Sequence, residues 1–204
     1  MATPRSLPLE AAVTADLILA LGPKCPSAQD LANAVNSLWP PSREPDAALP
    51  HLLGQCAHES QGFTRFEEDL DYSATRLLQI FPLHFNETSA RTAAHKPEAI
   101  ANKAYGSRMG NSLPGDGYLY RGRGLIQLTG RADYEEFGYA GNPGYLSTPR
   151  GAVESAIRYW KSRSLSLYLD DPKQLCRRIN GGLEGLDERR RLTALASRLL
   201  SRIR

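Results

Sequence analysis

Leu49, Leu52, Leu53, Cys56 and Ala57 recur at i, i+3, i+4, i+7 and i+8, the period of one buried helical face, and Glu59 prolongs that face. No other segment constrains the chain as strongly, because Glu67, Glu68, Asp69 and Asp71 crowd together soon after it, with Gly62 between. Were residues 59 to 68 one continuous helix, Glu59 and Glu68 would stand roughly 13 Å apart along its axis, too far to act on one bond from two sides. The helix is therefore expected to break at Gly62, since glycine ends helices and lets the chain turn back. A carboxylate at the end of an apolar face is expected to be partly desolvated, which favours the protonated form that a general acid needs. Two acids separated by a chain reversal suit a general acid and a general base.

Proline and glycine cut the remaining chain into short helical runs. Residues 8 to 21 carry Ala11, Ala12, Leu17, Ile18 and Leu21 at near-helical spacing and stop at Gly22-Pro23. Ser27 with Asp30 resembles a capping box that opens a helix through Leu31, Val35 and Leu38, ended by Pro40-Pro41. The loop from Pro40 to Pro45 leads into the Glu59 helix. Ser73 caps a short helix with Leu77, Leu78 and Phe81, halted by Pro82; Phe85 to Pro97 reads as a polar, irregular excursion; a helix from Glu98 to Tyr105 ends at Gly106. Thr148-Pro149 and Asp171-Pro172, each a cap followed by an N1 proline, open helices with Val153, Ala156, Ile157 and Trp160 on one face and Leu175, Cys176 and Ile179 on the other's. The last segment sets Leu192, Leu195, Leu199 and Ile203 on one side, with Arg189, Arg190, Arg191, Arg198, Arg202 and Arg204 mostly elsewhere. Such a helix can lie on an anionic outer membrane, but packing against the core is the commoner outcome.

Between residues 106 and 124 the chain is rich in glycine, and long loops in compact domains are usually functional. It leads into Tyr120-Arg121-Gly122-Arg123-Gly124-Leu125-Ile126-Gln127-Leu128-Thr129. If this run is extended, Gln127 and Thr129 share one face, while the glycines admit a ligand close to the backbone. The bland alternative is a glycine-rich turn before a core strand. Gly122-x-Gly124 lacks the third glycine and preceding strand of a dinucleotide fingerprint.

Three segments then carry a resemblance. Ala57-His58-Glu59-Ser60 with Gly62-Phe63 and the run Glu68 to Ala74, the Tyr120 to Thr129 run, and Asn180-Gly181-Gly182 together resemble glycoside hydrolase family 19, in particular its bacteriophage endolysin branch. The resemblance covers roughly residues 25 to 190. It implies a mainly α, lysozyme-like fold of two lobes with a central cleft and at most a small β element, residues 1–204 forming a single catalytic domain with a small inserted lobe near 82–118. It implies further that Glu59 is the catalytic acid and Glu68 the base of an inverting hydrolysis, with carboxyls about 6.5 to 9.5 Å apart to admit a water. Gln127, Thr129, Tyr120, Arg123 and Asn180 would contact sugar or that water, although Asn180 before two glycines equally suits a helix C-cap. Asp69 and Asp71 stand where the family more often has asparagine, which leaves Glu67 as an alternative to Glu68. The Glu68 to Ala74 form, Arg108-Met109-Gly110-Asn111 and the Tyr120 to Tyr134 run resemble endolysins, which points to peptidoglycan strands as the partner and to host-cell lysis; a chitinase is the alternative.

Other classes fare worse. His58-Glu59 lacks the second histidine four residues on that zinc would need, and His51, His84 and His95 form no ligand pattern, so neither metal nor cofactor is expected. Ser60 beside His58 is no triad, since neighbours on a helix point apart. The net charge of +3 suits an anionic partner such as a bacterial envelope or nucleic acid, and an ordinary solvated surface equally well; no nucleic-acid partner is expected. A non-catalytic cationic wall-binding or membrane-disrupting protein is the reading from another class. Three cysteines are too few for a disulfide framework, and the first ten residues lack the apolar core of a secretory signal. The expectation is a monomer made in the bacterial host cytoplasm, acting on the wall after release through a separate pore.

Overall fold

The computed structural model describes residues 13–39 and 47–203. Ala11, Ala12 and the loop expected from Pro40 to Pro45 lie outside the described residues. Eleven α-helices follow in order among the described residues: α1 Ala15–Leu21, α2 Ala28–Leu38, α3 Ala48–Glu59, α4 Ala74–Ile80, α5 Glu87–Ala93, α6 Pro97–Tyr105, α7 Asp116–Leu119, α8 Arg131–Glu136, α9 Pro149–Ser162, α10 Pro172–Asn180 and α11 Leu186–Ile203. The only β pairing among them is two isolated antiparallel bridges, Glu67 with Arg123 and Arg123 with Leu128. The chain divides into two compact units, one of Met1–Thr64 with Ala156–Arg204, the other of Arg65–Ser155.

In the first unit the dominant packing is α3 against α11, with α1 joining both α2 and α11 and with α10 also on α11. The amphipathic terminal helix buries Leu192, Ala196 and Leu200, while Leu195 and Leu199 are half-buried. The helices α3 and α11 approach closely at Gly54, where an added Cβ would lie 2.5 to 2.9 Å from Thr193 atoms. Only the absence of a side chain lets two helix backbones meet so closely.

In the second unit Leu70, Leu77, Phe85, Ala90, Ala93, Ile100, Ala101 and Ala104 form the core, against which Tyr72, Phe81 and Tyr105 pack. The stretch expected to be an irregular excursion, residues 85 to 97, contains α5. Asn86 and Ser89 cap it reciprocally, each side chain bonding the other's backbone N–H, while Ala90 and Ala93 bury its inner face. Alanine buries little apolar surface, so the pattern is faint in the sequence. Ser27 departs from expectation too: with φ −130° and ψ 40° it makes no side-chain cap. Ser73, by contrast, accepts from Arg76 N, Thr148 accepts from Gly151 N, and Asp171 accepts from Lys173 N and Gln174 N.

Candidate active site

Helix α3 ends at Glu59 itself, earlier than the break expected at Gly62. Ser60 Oγ donates to Cys56 O at 2.6 Å and accepts from Phe63 N at 3.0 Å, closing the last turn from outside the helix. The reversal is then made by three consecutive residues of positive φ, Gln61 (53°), Gly62 (72°) and Phe63 (61°). Glycine adopts that region freely, whereas Gln61 and Phe63 pay for it in backbone strain. Burial of the Phe63 ring, 1% exposed, supplies the compensation.

The Glu59 carboxylate meets the guanidinium of Arg189 from α11, so the apolar seat expected for it is a charged one. Arg189 is 2% exposed and also donates to Gln55 Oε1 at 2.7 Å and to Glu184 O at 3.2 Å. Arg189 is thus buried, although its place among the arginines of the last segment suggests the polar face. Its spacing could have found it, since Arg189, Leu192, Ala196 and Leu200 recur at the period of the buried stripe. Close by, burial, and after it the charge of Arg189, lowers the His58 pKa below the ordinary histidine value.

Within the second unit, residues 66–68 run extended beside 122–124. Glu68 N donates to Gly122 O at 2.8 Å and Gly124 N to Phe66 O at 2.9 Å. Successive side chains on an extended strip point to opposite faces, so Glu67 and Glu68 have different surroundings. Glu67 is taken up by Arg121 (Nε at 2.7 Å), Arg123 (Nε at 3.1 Å) and Ser147 Oγ (2.6 Å). Burial works to raise its pKa, but the Ser147 and Arg121 hydrogen bonds and the two guanidiniums outweigh burial and hold the carboxyl below the usual range. Glu68 accepts from Tyr105 Oη at 2.6 Å and from Gly122 N at 3.3 Å.

The glycine-rich run is not extended. Arg123 and Leu128 exchange backbone hydrogen bonds of 3.1 and 2.9 Å across a tight turn, in which Gln127 sits at φ 54°. The turn still brings both expected polar residues together. A Cβ added at Gly122 would lie 2.9 Å from Gln127 Oε1, 3.3 Å from Thr129 Oγ1 and 3.4 Å from Glu68 Cβ. Gln127 Nε2 donates to Gly124 O and Thr129 Oγ1 donates to Gln127 O, both at 2.9 Å, which fixes their rotamers.

Two of the expected sugar contacts are buried. Tyr120 is 3% exposed, its ring 5.2 Å from that of Tyr134 and beneath the Arg131 guanidinium. Arg123, 4% exposed, bonds Glu67, Leu119 O and Tyr134 Oη. Both are consumed by packing. Asn180 is the exposed last residue of α10, with Gly181 as the left-handed cap (φ 74°). The glycine-rich loop is held down, since Asp116 accepts from Ser112 N, Leu113 N and Arg131 Nε at 2.9 to 3.0 Å. Among the described residues no three His, Cys, Asp or Glu side chains gather as a metal site.

A helical scaffold that fixes one carboxylate at a helix end, and another beside a glutamine, a threonine and a bare glycine backbone, has the equipment of a glycoside hydrolase. No family model matches the chain. A glycosyl hydrolase family 19 domain-containing protein of Haemophilus influenzae is 44% identical over 149 residues, which are 69% of this chain and 74% of that protein. The chain belongs to glycosyl hydrolase family 19. Chitinase C of Streptomyces griseus superposes with a TM-score of 0.59 at 16% identity, covering 93% of each chain. A further bacterial family 19 chitinase superposes at 0.53 and 20% identity over 91% of this chain and 95% of its own. At such identities the likeness is one of fold, and it agrees with the helical, lysozyme-like architecture.

Proposed function

We propose that this glycoside hydrolase is an endolysin-type muramidase that cuts the glycan strands of peptidoglycan with inversion. Glu59 gives its proton to the leaving glycosidic oxygen. Glu68 takes a proton from a water, whose oxygen bonds to the anomeric carbon as the old C–O bond breaks. Gln127 and Thr129 hold that water, and Asn180 contacts sugar. The observation that carries the reading is the convergence of Gln127, Thr129 and the Glu68 stem on the bare backbone of Gly122, whose N–H donates to the Glu68 carboxylate, so that a water there would meet a base and two further polar side chains. Glu67 is a poorer base, with three cationic or hydroxyl partners already on it.

The endolysin-like runs at 68–74, 108–111 and 120–134 support peptidoglycan as substrate, with the enzyme acting as a monomer after release through a separate pore. A chitinase is the second reading, favoured by the chitinases among its structural relatives. Digestion of purified peptidoglycan and of chitin in parallel separates the two. A muramidase releases fragments with reducing N-acetylmuramic acid and leaves chitin intact, and both Glu59→Gln and Glu68→Gln abolish the release. Release from chitin alone would move the assignment to chitinase, and release surviving both substitutions would overturn the acid/base pair.

A further inference from the structure

Tyr105, at the C-terminal end of α6, plays no part in the mechanism above. Its ring packs edge-on to Phe81 at 6.0 Å, against the core of the second unit. Its hydroxyl emerges at the Glu68 carboxylate, donating to Oε1 at 2.6 Å. The other oxygen, Oε2, accepts from Gly122 N at 3.3 Å. With one donor on each oxygen the carboxylate cannot spin about its terminal bond, and each oxygen keeps a free lone pair. Burial, and then the charge of Glu68, pushes the Tyr105 phenol above its ordinary range, so it stays protonated and remains a donor.

We propose that Tyr105 is a positioning residue for the catalytic base, fixing the plane in which Glu68 meets the attacking water. This rests on the assignment of Glu68 as base. A charge-assisted bond from a half-buried ring packed against the core holds the carboxylate with little loss of conformational entropy during turnover. The titratable and charged groups acting on the phenol besides Glu68 are Tyr72 and Arg108, with Arg65 and Asp69 beside Tyr72, and Tyr105→Phe alters none of these side chains.

Tyr105→Phe removes one oxygen and keeps the ring against Phe81. On soluble peptidoglycan fragments kcat is expected to fall about tenfold to a hundredfold with KM little changed. Fluorotyrosine at position 105 is a stronger donor on the same fold and keeps kcat near wild type. A merely structural tyrosine would lower the melting temperature and leave kcat at wild type; that result overturns the proposal. Glu68→Gln, run alongside, separates the two levels. If it retains turnover, the base assignment fails and the role of Tyr105 goes with it, whereas an inactive Glu68→Gln beside a wild-type Tyr105→Phe removes Tyr105 alone.

Discussion

Arg189→Met tests the arrangement that holds Glu59. Methionine keeps most of the aliphatic stem, so the loss is chiefly that of the guanidinium, which serves Glu59, Gln55 Oε1 and Glu184 O at once. Removing one partner of a buried ion pair costs about 3–5 kcal/mol. The Glu59 side chain is 20% exposed, so water recovers part of its solvation and the lower end applies. The expectation is therefore about 3 kcal/mol, or roughly a 10 °C fall in melting temperature for a chain of this size. Trp39 and Trp160 both belong to the first unit, so tryptophan fluorescence during urea unfolding reports on the part of the molecule concerned. Glu59→Gln made in the Arg189→Met background removes the orphaned charge and recovers at least about 1 kcal/mol relative to the sum of the single losses. An Arg189→Met loss under about 1 kcal/mol, or strict additivity in the double variant, would show that the pair is a surface-like contact.

Gly122→Ala places a methyl group against Gln127, Thr129 and Glu68, and is expected to lower kcat at least tenfold while the melting temperature changes little; unchanged turnover would mean that these groups do not meet a ligand there. Glu67→Gln and Glu68→Gln are expected to diverge, the first losing stability because Arg121 and Arg123 lose their shared carboxylate, the second losing turnover by orders of magnitude at near-normal stability. Calorimetry with kcat on both variants decides this, and the reverse pattern would exchange their roles. The Asp116 carboxyl is held down to about 2 by its Arg131 hydrogen bond and by Leu113 and Ser112 N–H groups. A folded value below the unfolded one, about 3.9, means that its stabilisation is complete above pH 4 and is lost as pH falls through 2. Asp116→Asn should accordingly flatten the decline of stability between pH 4 and 2, and parallel curves for the two proteins would refute it. Gly54→Ala is expected to destabilise the first unit by about 1–3 kcal/mol, because separating α3 from α11 at Thr193 outweighs the gain in helix propensity; a higher melting temperature would contradict that.

The helical class was legible because punctuation and period are local. Gly22-Pro23, Pro82, Thr148-Pro149 and Asp171-Pro172 mark ends that depend on backbone sterics alone, and the Leu49 to Glu59 stripe needs only the 3.6-residue turn. Helix α5 escaped notice because its buried face is alanine and its cap is an asparagine paired with a serine. Glu59, Glu68, Gln127 and Thr129 could be nominated from their motifs, with Glu67 as an alternative to Glu68. The different surroundings of those two glutamates come from the alternation of the extended strip and from Arg121, Arg123 and Ser147, which arrive from 54 to 80 residues away.

Sequence alone thus determined the helical segments and the family resemblance, and it nominated the candidate acids, since each is written in short-range spacing. Only the tertiary structure decided which side chains complete them. Arg189 reaches Glu59 across 130 residues and Tyr105 reaches Glu68 across 37, while Tyr120 and Arg123 turn into the core rather than outward. The physical reason is that a charged or aromatic side chain has no fixed destiny in sequence. Its role follows from which partner the packed helices bring within hydrogen-bonding distance, and from whether water can still reach it.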